Sequence, residues 1–362
     1  MSTTLHRYAA LGAALLIGVA GLSACGANDA QSGDDGDSAS GGGGKTIALL
    51  LPESKTTRYE AFDRPLFEAK VKELCEDCDD VLYYNADQDE TKQSQQVETA
   101  ISEGASVIVL DPVNGAGAGG MVQSAQDAGA QVIAYDRLIK EADYYMSFDN
   151  ETVGKMQAEA LVEAMGDQGG ILMLNGSPDD PNAAQFKEGA HSVLDDSGVE
   201  ILEEYDNPDW SPENAQEFVT DQLSKYDASD IKGVYAANDG QAGGVVAALT
   251  GGGFEPDALP PITGQDAELA AIQRIIAGEQ SMTIYKPIPV EAEKAAEVAV
   301  ALVNGDEVGE TTDFQGVPSF IFDPIVVTKD NVADTVVADE FYSVDDICAG
   351  EYAKACAAAD IS

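Results

Sequence analysis

Residues 81–110 read VLYYNADQDETKQSQQVETAISEGASVIVL, and their pattern decides the fold. An apolar run from Val81 to Asn85 leads into Glu90 to Ser102, where Val97, Ala100 and Ile101 recur at helical spacing. A second apolar run, Ser106 to Leu110, follows. Run, amphipathic helix and run again describe a strand–helix–strand unit, and a crossover of that length makes the two strands parallel. The beat extends both ways, to Thr46–Leu51 upstream and to Gln131–Tyr135 and Tyr145–Phe148 downstream.

The same beat then restarts. Strands are predicted at Gly170–Leu174, Glu200–Tyr205, Gly233–Ala237 and Ile262–Gly264, with helices at Asn182–Asp195, Pro212–Ser224, Gly240–Leu249 and Glu268–Ala277. Two successive series predict an α/β protein of two doubly wound parallel-sheet lobes, each with helices on both faces. A strand at Ser281–Tyr285, a helix at Val290–Val303 and a strand-like stretch at Ser319–Thr328 close the chain. They hold too little apolar surface for a core of their own, so they are expected to cross back and complete both lobes.

The N-terminus reads as an export signal. His6 and Arg7 precede an apolar run from Tyr8 to Leu22, too short for a membrane span, which ends at Leu22-Ser23-Ala24-Cys25. Small residues leading into a cysteine resemble a bacterial lipoprotein box, so residues 1–24 are expected to be removed and Cys25 to carry lipid. An ordinary signal peptide with an incidental cysteine is the competing reading. Residues 26–44, GANDAQSGDDGDSASGGGG, offer nothing bulky to bury and are expected to act as a disordered tether. Together they predict a protein held at the outer face of the cell membrane through its lipid alone.

The chain carries 65 acidic and 19 basic residues; without Arg7 the balance is 18 − 65 = −47. A surface so negative repels phosphates, which excludes nucleic acid and anionic lipid head groups as partners. Beyond Cys25 the cysteines form two close pairs, Cys75/Cys78 and Cys348/Cys356, and in an exported protein two local disulfides are expected. The Cys75-Glu76-Asp77-Cys78 motif also permits a redox or half-zinc role. Against that, no second CxxC exists, only two histidines occur (His6, His191), and Cys75 ends a helical pattern rather than opening one. No metal and no cofactor are expected.

Ligands of open parallel sheets bind beyond the carboxyl ends of the strands. Those ends carry Asp111, Asp136-Arg137, Asp149-Asn150, Asn175, Asn238-Asp239, Gln265-Asp266 and Lys286. A single Asn or Asp there is an ordinary helix cap, but a series across two lobes joined by Arg and Lys points to a polar ligand. Asp136-Arg137 is the sharpest pair, because a carboxylate beside a guanidinium offers acceptors and donors to neighbouring hydroxyls of a neutral polyol; a structural ion pair is the alternative. Trp210, the only tryptophan, sits in a loop where its face could stack on a sugar ring or anchor the loop.

Those residues sit in strings that resemble the D-xylose-binding proteins within the ribose- and galactose-binding family. They are ADQDETKQSQQVE (86–98), VLDPVNG (109–115), VIAYDRLI (132–139), YMSFDNETVG (145–154), NGSPDDPNAAQF (175–186), AANDGQAGG (236–244) and TGQDAELAAIQRIIAGEQSMTIYKPI (263–288). The resemblance implies the periplasmic-binding-protein type I fold, two lobes joined by a three-segment hinge with a monosaccharide between them. It implies a monomer that delivers xylose or a related aldose to an ABC permease and its ATPase. One lobe would comprise residues 45–149 and about 287–318, the other 150–286 and about 319–362. It further implies a sugar site of Arg58, Tyr59, Asp136, Arg137, Asn182, Trp210, Asn238, Asp266 and Lys286. The first loop, PESKTTRYEAF (52–62), departs from that pattern: it is one residue longer, and Tyr59 stands where the family has tryptophan.

Closure is expected as hinge bending near Asp149-Asn150 and Tyr285-Lys286-Pro287. An enzyme on this fold would need groups the sequence lacks: no GxSxG elbow and no phosphate loop occurs, and neither histidine falls at a strand end. A repressor on the same lobes would need a basic DNA-binding N-terminus in place of the signal and tether. A sensory binding protein that feeds a receptor instead of a permease stays open.

Overall fold

The computed structural model describes residues 45–166 and 168–361. The expected signal peptide, tether and lipidated Cys25 lie outside the described residues. The first lobe begins with β1 (Ile47–Leu51), α1 (Arg64–Leu74), β2 (Leu82–Asn85), α2 (Glu90–Ser102), β3 (Val107–Leu110), α3 (Gly119–Asp127), β4 (Gln131–Tyr135) and β5 (Tyr144–Phe148). All these strands pair in parallel, as the strand–helix–strand reading requires. β1 shows how the sheet is held. Ala48 and Leu50 pack under α2 and α3, while Ile47, Leu49 and Leu51 pack on the other face against α1. Full burial of such side chains stabilises by roughly 1.5–3 kcal/mol each.

The chain then crosses into the second lobe. This lobe contains α4 (Asn150–Met165), β6 (Gly169–Asn175), α5 (Pro181–Leu194), β7 (Val199–Asp206), α6 (Pro212–Gln222), β8 (Ile231–Ala236), α7 (Asp239–Gly251), α8 (Leu269–Ala277) and β9 (Thr283–Tyr285). Its parallel sheet has the order β7-β6-β8, continued through bridges at Ile262 and Gln265 to β9. The predicted strand Ile262–Gly264 is therefore present only as that bridging segment. α4 and α5 meet backbone to backbone: a Cβ on Gly154 would lie 1.9 Å from Phe186 O, and one on Gly189 2.0 Å from Glu151 O. That contact seats the N-terminal half of α5 close to the first crossing.

The closing segment does cross back. α9 (Ile288–Asn304) returns to the first lobe and covers the α1 face of its sheet. There β10 (Thr312–Phe314) and β11 (Val317–Phe322) complete a seven-stranded sheet of order β10-β11-β5-β4-β3-β1-β2. The expected division at about residue 318 is corrected here, because β11 pairs in parallel with β5, Ser319 opposite Tyr145 and Phe322 opposite Phe148. The physical reason is twofold. β11 closes the open edge of β5, and Phe320 and Phe322 pack against the α1/α9 core. The crossing falls at Asp323-Pro324, after which β12 (Ile325–Val327) pairs antiparallel with β9 in the second lobe.

Residues beyond β12, with the short helices α10 (Val344–Ile347) and α11 (Ala353–Ala358), pack on α8. Both expected cysteine pairs are joined, Cys75 to Cys78 at the end of α1 and Cys348 to Cys356 across α10 and α11. Among the described residues no helix is long and apolar enough to cross a membrane, and no group of side chains forms a metal site.

Candidate binding site

The carboxyl ends of both sheets face one small cavity between the lobes. Every residue of the expected site lines it: Arg58, Tyr59, Asp136 and Arg137 from the first lobe, Asn182, Trp210, Asn238 and Asp266 from the second, and Lys286 at the hinge. Thr56, Asp180, Phe186 and Gln265 also line it. The side chains are almost wholly removed from solvent, Arg137 and Lys286 being 2% exposed, so the lobes are closed on each other.

Asp136 is the centre of the first-lobe wall. It follows β4 directly, and its backbone adopts the left-handed φ of 56°, held by Asp136 N donating to Met146 O at 2.9 Å. That turn presents the carboxylate to two hydrogen-bond donors and a nearby ammonium. Arg58 Nη1 lies 3.0 Å and Lys286 Nζ 3.7 Å from Oδ1, while Asn182 Nδ2 of the second lobe lies 3.2 Å from Oδ2. Burial would push the Asp136 carboxyl up, but Lys286, Arg58 and Arg137 together outweigh it and hold it at about 2. It is therefore ionised at any physiological pH.

Arg58 is itself fixed by carboxylates. Its Nε and Nη2 donate to Asp63 at 3.0 and 2.7 Å, and Nη2 also reaches Glu291 Oε2 on α9 at 2.8 Å. Glu291 shows the opposite shift: burial, reinforced by Asp136 and Asp63 against the pull of Arg58, raises it to about 8. A neutral Glu291 leaves Arg58 balanced by Asp63 and Asp136. Lys286 is held protonated despite burial, because Asp136 and Asp266 outweigh the desolvation, the latter at 3.0 Å.

Asp136 and Arg137 are adjacent in sequence but do not pair with each other; each is held in buried ion pairs with other partners. Arg137 points to a separate set of partners: Nε to Asp180 at 2.9 Å and to Asp111 at 3.4 Å, Nη1 to Pro112 O at 3.0 Å, and Nη2 to the Tyr59 hydroxyl at 3.3 Å. Asp180 in turn accepts from Trp210 Nε1 at 3.1 Å and caps α5 through Asn182 N. Burial raises both Asp111 and Asp180, with Arg137 opposing.

Trp210 is 5% exposed and sits in a short turn with φ of 54°. A Cβ on Gly176 would lie 2.0 Å from its ring, so the indole lies directly on that glycine's backbone; its edge meets Phe186 with centroids 6.3 Å apart. The ring lines the cavity as well as anchoring its loop. Asp266, with φ of 90°, is another left-handed residue of the site. Backbone strain of this kind costs about 1–3 kcal/mol per residue and collects at ligand clamps.

The remaining strand-end residues do other work. Asn175 donates to Glu204 and Asp206, Asp149 caps α4, and Asp239 is buried beneath β9, accepting from Thr283 and Gln280. Asp111 stands behind Arg137 rather than in the lining. Sequence reading missed Asp180 and Phe186, although a signal existed: Asp180-Pro181 is a helix-opening pair, and Phe186 follows Asn182 by one turn on the same face of α5.

The description "periplasmic binding protein domain" matches residues 47–307. The chain is 40% identical over 306 residues to the D-xylose-binding periplasmic protein of Escherichia coli strain K12, covering 82% of this chain and 90% of that protein. It is 34% identical over 288 residues to a multiple sugar-binding periplasmic receptor of Rhizobium radiobacter, covering 72% and 81%. Among solved structures, an ABC transporter solute-binding protein from Clostridium phytofermentans with bound β-D-glucose superposes with a TM-score of 0.74 at 26% identity, covering 83% of this chain and 99% of that one. These relatives are binding proteins of sugar transport, not enzymes. The two-lobed fold and the match over most of its length place this chain in the periplasmic binding protein family.

Proposed function

We propose that the protein captures one aldose, with D-xylose the leading candidate, in the cavity between its lobes and delivers it to an ABC permease. The observation that carries the reading is the convergence of Asp136, Arg137, Asn182, Trp210, Asn238, Asp266 and Lys286, drawn from both lobes and the hinge, on one small closed cavity. Each sugar hydroxyl gives up hydrogen bonds to water on entry, so the site must replace them nearly one for one. Acceptors are at hand: the ionised Asp136, and the buried Asn182 Oδ1 and Gln265 Oε1, which meet no donor among the described residues. Asn238 uses its Oδ1 to cap α7, from Gln241 N at 3.0 Å, which leaves its amide nitrogen as a donor for the ligand. Trp210 and Phe186 provide apolar surface for the C–H face of the ring.

A hydroxyl in the wrong place leaves one of these buried groups unpaired, at a cost of about 1–3 kcal/mol, and that cost selects the sugar. The tether and lipid on Cys25 would keep the loaded protein at the outer face of the membrane, within reach of its permease. The disulfides, Cys75–Cys78 and Cys348–Cys356, suit that oxidising compartment. Likeness to a receptor that takes multiple sugars favours a second reading, a broader aldose site that also serves sensing.

A thermal-shift panel of D-xylose, D-ribose, L-arabinose and D-glucose tests the reading, repeated on Asp136→Ala and Trp210→Ala. D-xylose is expected to give the largest rise in Tm, lost in both variants. No rise with any aldose, or normal responses in both variants, would overturn the site.

A further inference from the structure

The first loop is the part of the chain that departs from the xylose-binding pattern, and its residues face two ways. Thr56, Arg58 and Tyr59 are buried against the cavity. Their neighbours reach the opposite lobe instead. Lys55 Nζ lies 3.6 Å from Asp209, the residue before Trp210. Thr57 N donates to Glu268 Oε1 at 3.3 Å, just ahead of α8. Phe62 stacks on Phe341 of the C-terminal segment, ring centroids 4.1 Å apart, and meets Tyr342 edge-on at 5.6 Å. The loop is itself braced from within: the buried Glu53 carboxylate accepts from Thr56 N at 3.1 Å and from Lys55 N.

We infer that residues 55–62 form an interlobe latch, in which Glu268 and Phe62 act as positioning residues that set how long a sugar is retained without touching it. The inference rests on the proposed sugar site but assigns a role to residues outside it, since neither Glu268 nor Phe62 lines the cavity. A single short loop contributes to both the cavity wall and the lobe contact, so the closed arrangement that places Thr56, Arg58 and Tyr59 on the cavity also aligns Lys55, Thr57 and Phe62 with their partners. Opening the lobes breaks these contacts and must precede release. The latch therefore acts on the dissociation rate, and by the same factor for every sugar that fits.

The test uses the full chain and the fluorescence of Trp210, the only tryptophan, which lies in the cavity wall. Stopped-flow dissociation of D-xylose, D-ribose and D-glucose is compared for wild type, Glu268→Ala, Phe62→Ala, the conservative Phe62→Leu and Lys55→Ala. Phe62→Ala is expected to speed release about 3–10-fold, the scale of one aromatic pair, and Phe62→Leu to recover part of it. Glu268→Ala is expected to speed release about 2–10-fold, the scale of one hydrogen bond. Lys55→Ala gives the smallest change, and one that high salt erases, because that pair is half exposed. The preference among sugars stays as in wild type throughout. Unchanged release rates in both Glu268→Ala and Phe62→Ala, or an altered sugar preference, would overturn the latch. A wild type that responds to none of the sugars overturns the functional reading instead. Small-angle scattering of the sugar-free proteins then decides the latch alone: a larger radius of gyration in the variants supports it, and an equal radius overturns it.

Discussion

The two walls of the cavity are built from different chemistry. The first-lobe wall is a charge network: Arg58 is divided among Asp63, Asp136 and Glu291 within its own lobe, while Arg137 is shared among Asp111, the Tyr59 hydroxyl and, across the cleft, Asp180 at the start of α5. The second-lobe wall consists mainly of amides and rings, with Asn182 and Gln265 each keeping a buried oxygen that no protein group satisfies among the described residues. Lys286 at the hinge ties the two together through Asp136 and Asp266. The Arg58 part of the charged wall is therefore fixed from within its own lobe before a sugar arrives, and the second wall depends on the sugar to complete its hydrogen bonds. Preorganisation of the charged wall limits the reorganisation that binding requires, while unpaired groups on the second wall read out which hydroxyls are present.

Substitutions can break that division. The largest effect is expected at Asp136→Ala, which leaves Arg58 and Lys286 without their shared carboxylate. Stability should fall by about 3–5 kcal/mol, as when one partner of a buried ion pair is removed, and calorimetry should detect no sugar binding. On the second wall, Trp210→Ala should weaken binding by about 2–4 kcal/mol, the range of an interface hot spot. Asn238→Asp sharpens the comparison further, since aspartate still caps α7 but the amide donor is gone. Unfolding should be nearly unchanged while affinity drops by about 1–3 kcal/mol. If Asn238→Asp instead cost stability and spared affinity, the division between walls would be wrong.

A further effect is a pH dependence of the charged wall. The Glu291 carboxyl is raised to about 8 in the folded protein, well above its ordinary value of 4.5. A group raised on folding contributes stability that is fully present below its unfolded pKa and is lost as pH rises through the folded one. Its contribution is thus expected to fade between about pH 4.5 and 8. Glu291→Gln, which keeps the shape without the titration, should show a shallower fall of Tm across that window. Asp136 works the other way: held at about 2, it stabilises above its ordinary 3.8 and loses its contribution only as pH falls toward 2.

Much of this was legible in the sequence, for an identifiable reason. A parallel sheet places ligand contacts at strand ends, so Asp136-Arg137 after β4, Asn238 after β8 and Lys286 after β9 could be found from strand periodicity alone. The helix Glu90–Ser102 is read to its residue limits from apolar spacing alone, and the structure adds an Asp89 cap that accepts from Lys92 N. What periodicity cannot carry is partnership across the fold. Glu291 lies 233 residues from Arg58, and nothing local marks it as the buried acceptor on that guanidinium. The same limit explains β11: Ser319–Phe322 reads as a strand, but its sheet is chosen by the open edge of β5, which no local pattern encodes. Asp136 and Arg137 looked like one clamp in sequence, yet the left-handed turn at Asp136 sends the two side chains to different partners.

The account is tested most directly by calorimetric titration of D-xylose into the full chain and into Asp136→Asn, which keeps the side chain's shape but not its charge. The account predicts one xylose bound per wild-type chain and an affinity loss of about 2–5 kcal/mol in the variant, the scale of a broken buried charge contact. No heat with D-xylose or any other aldose in the wild type, or equal affinity in the two proteins, would contradict it.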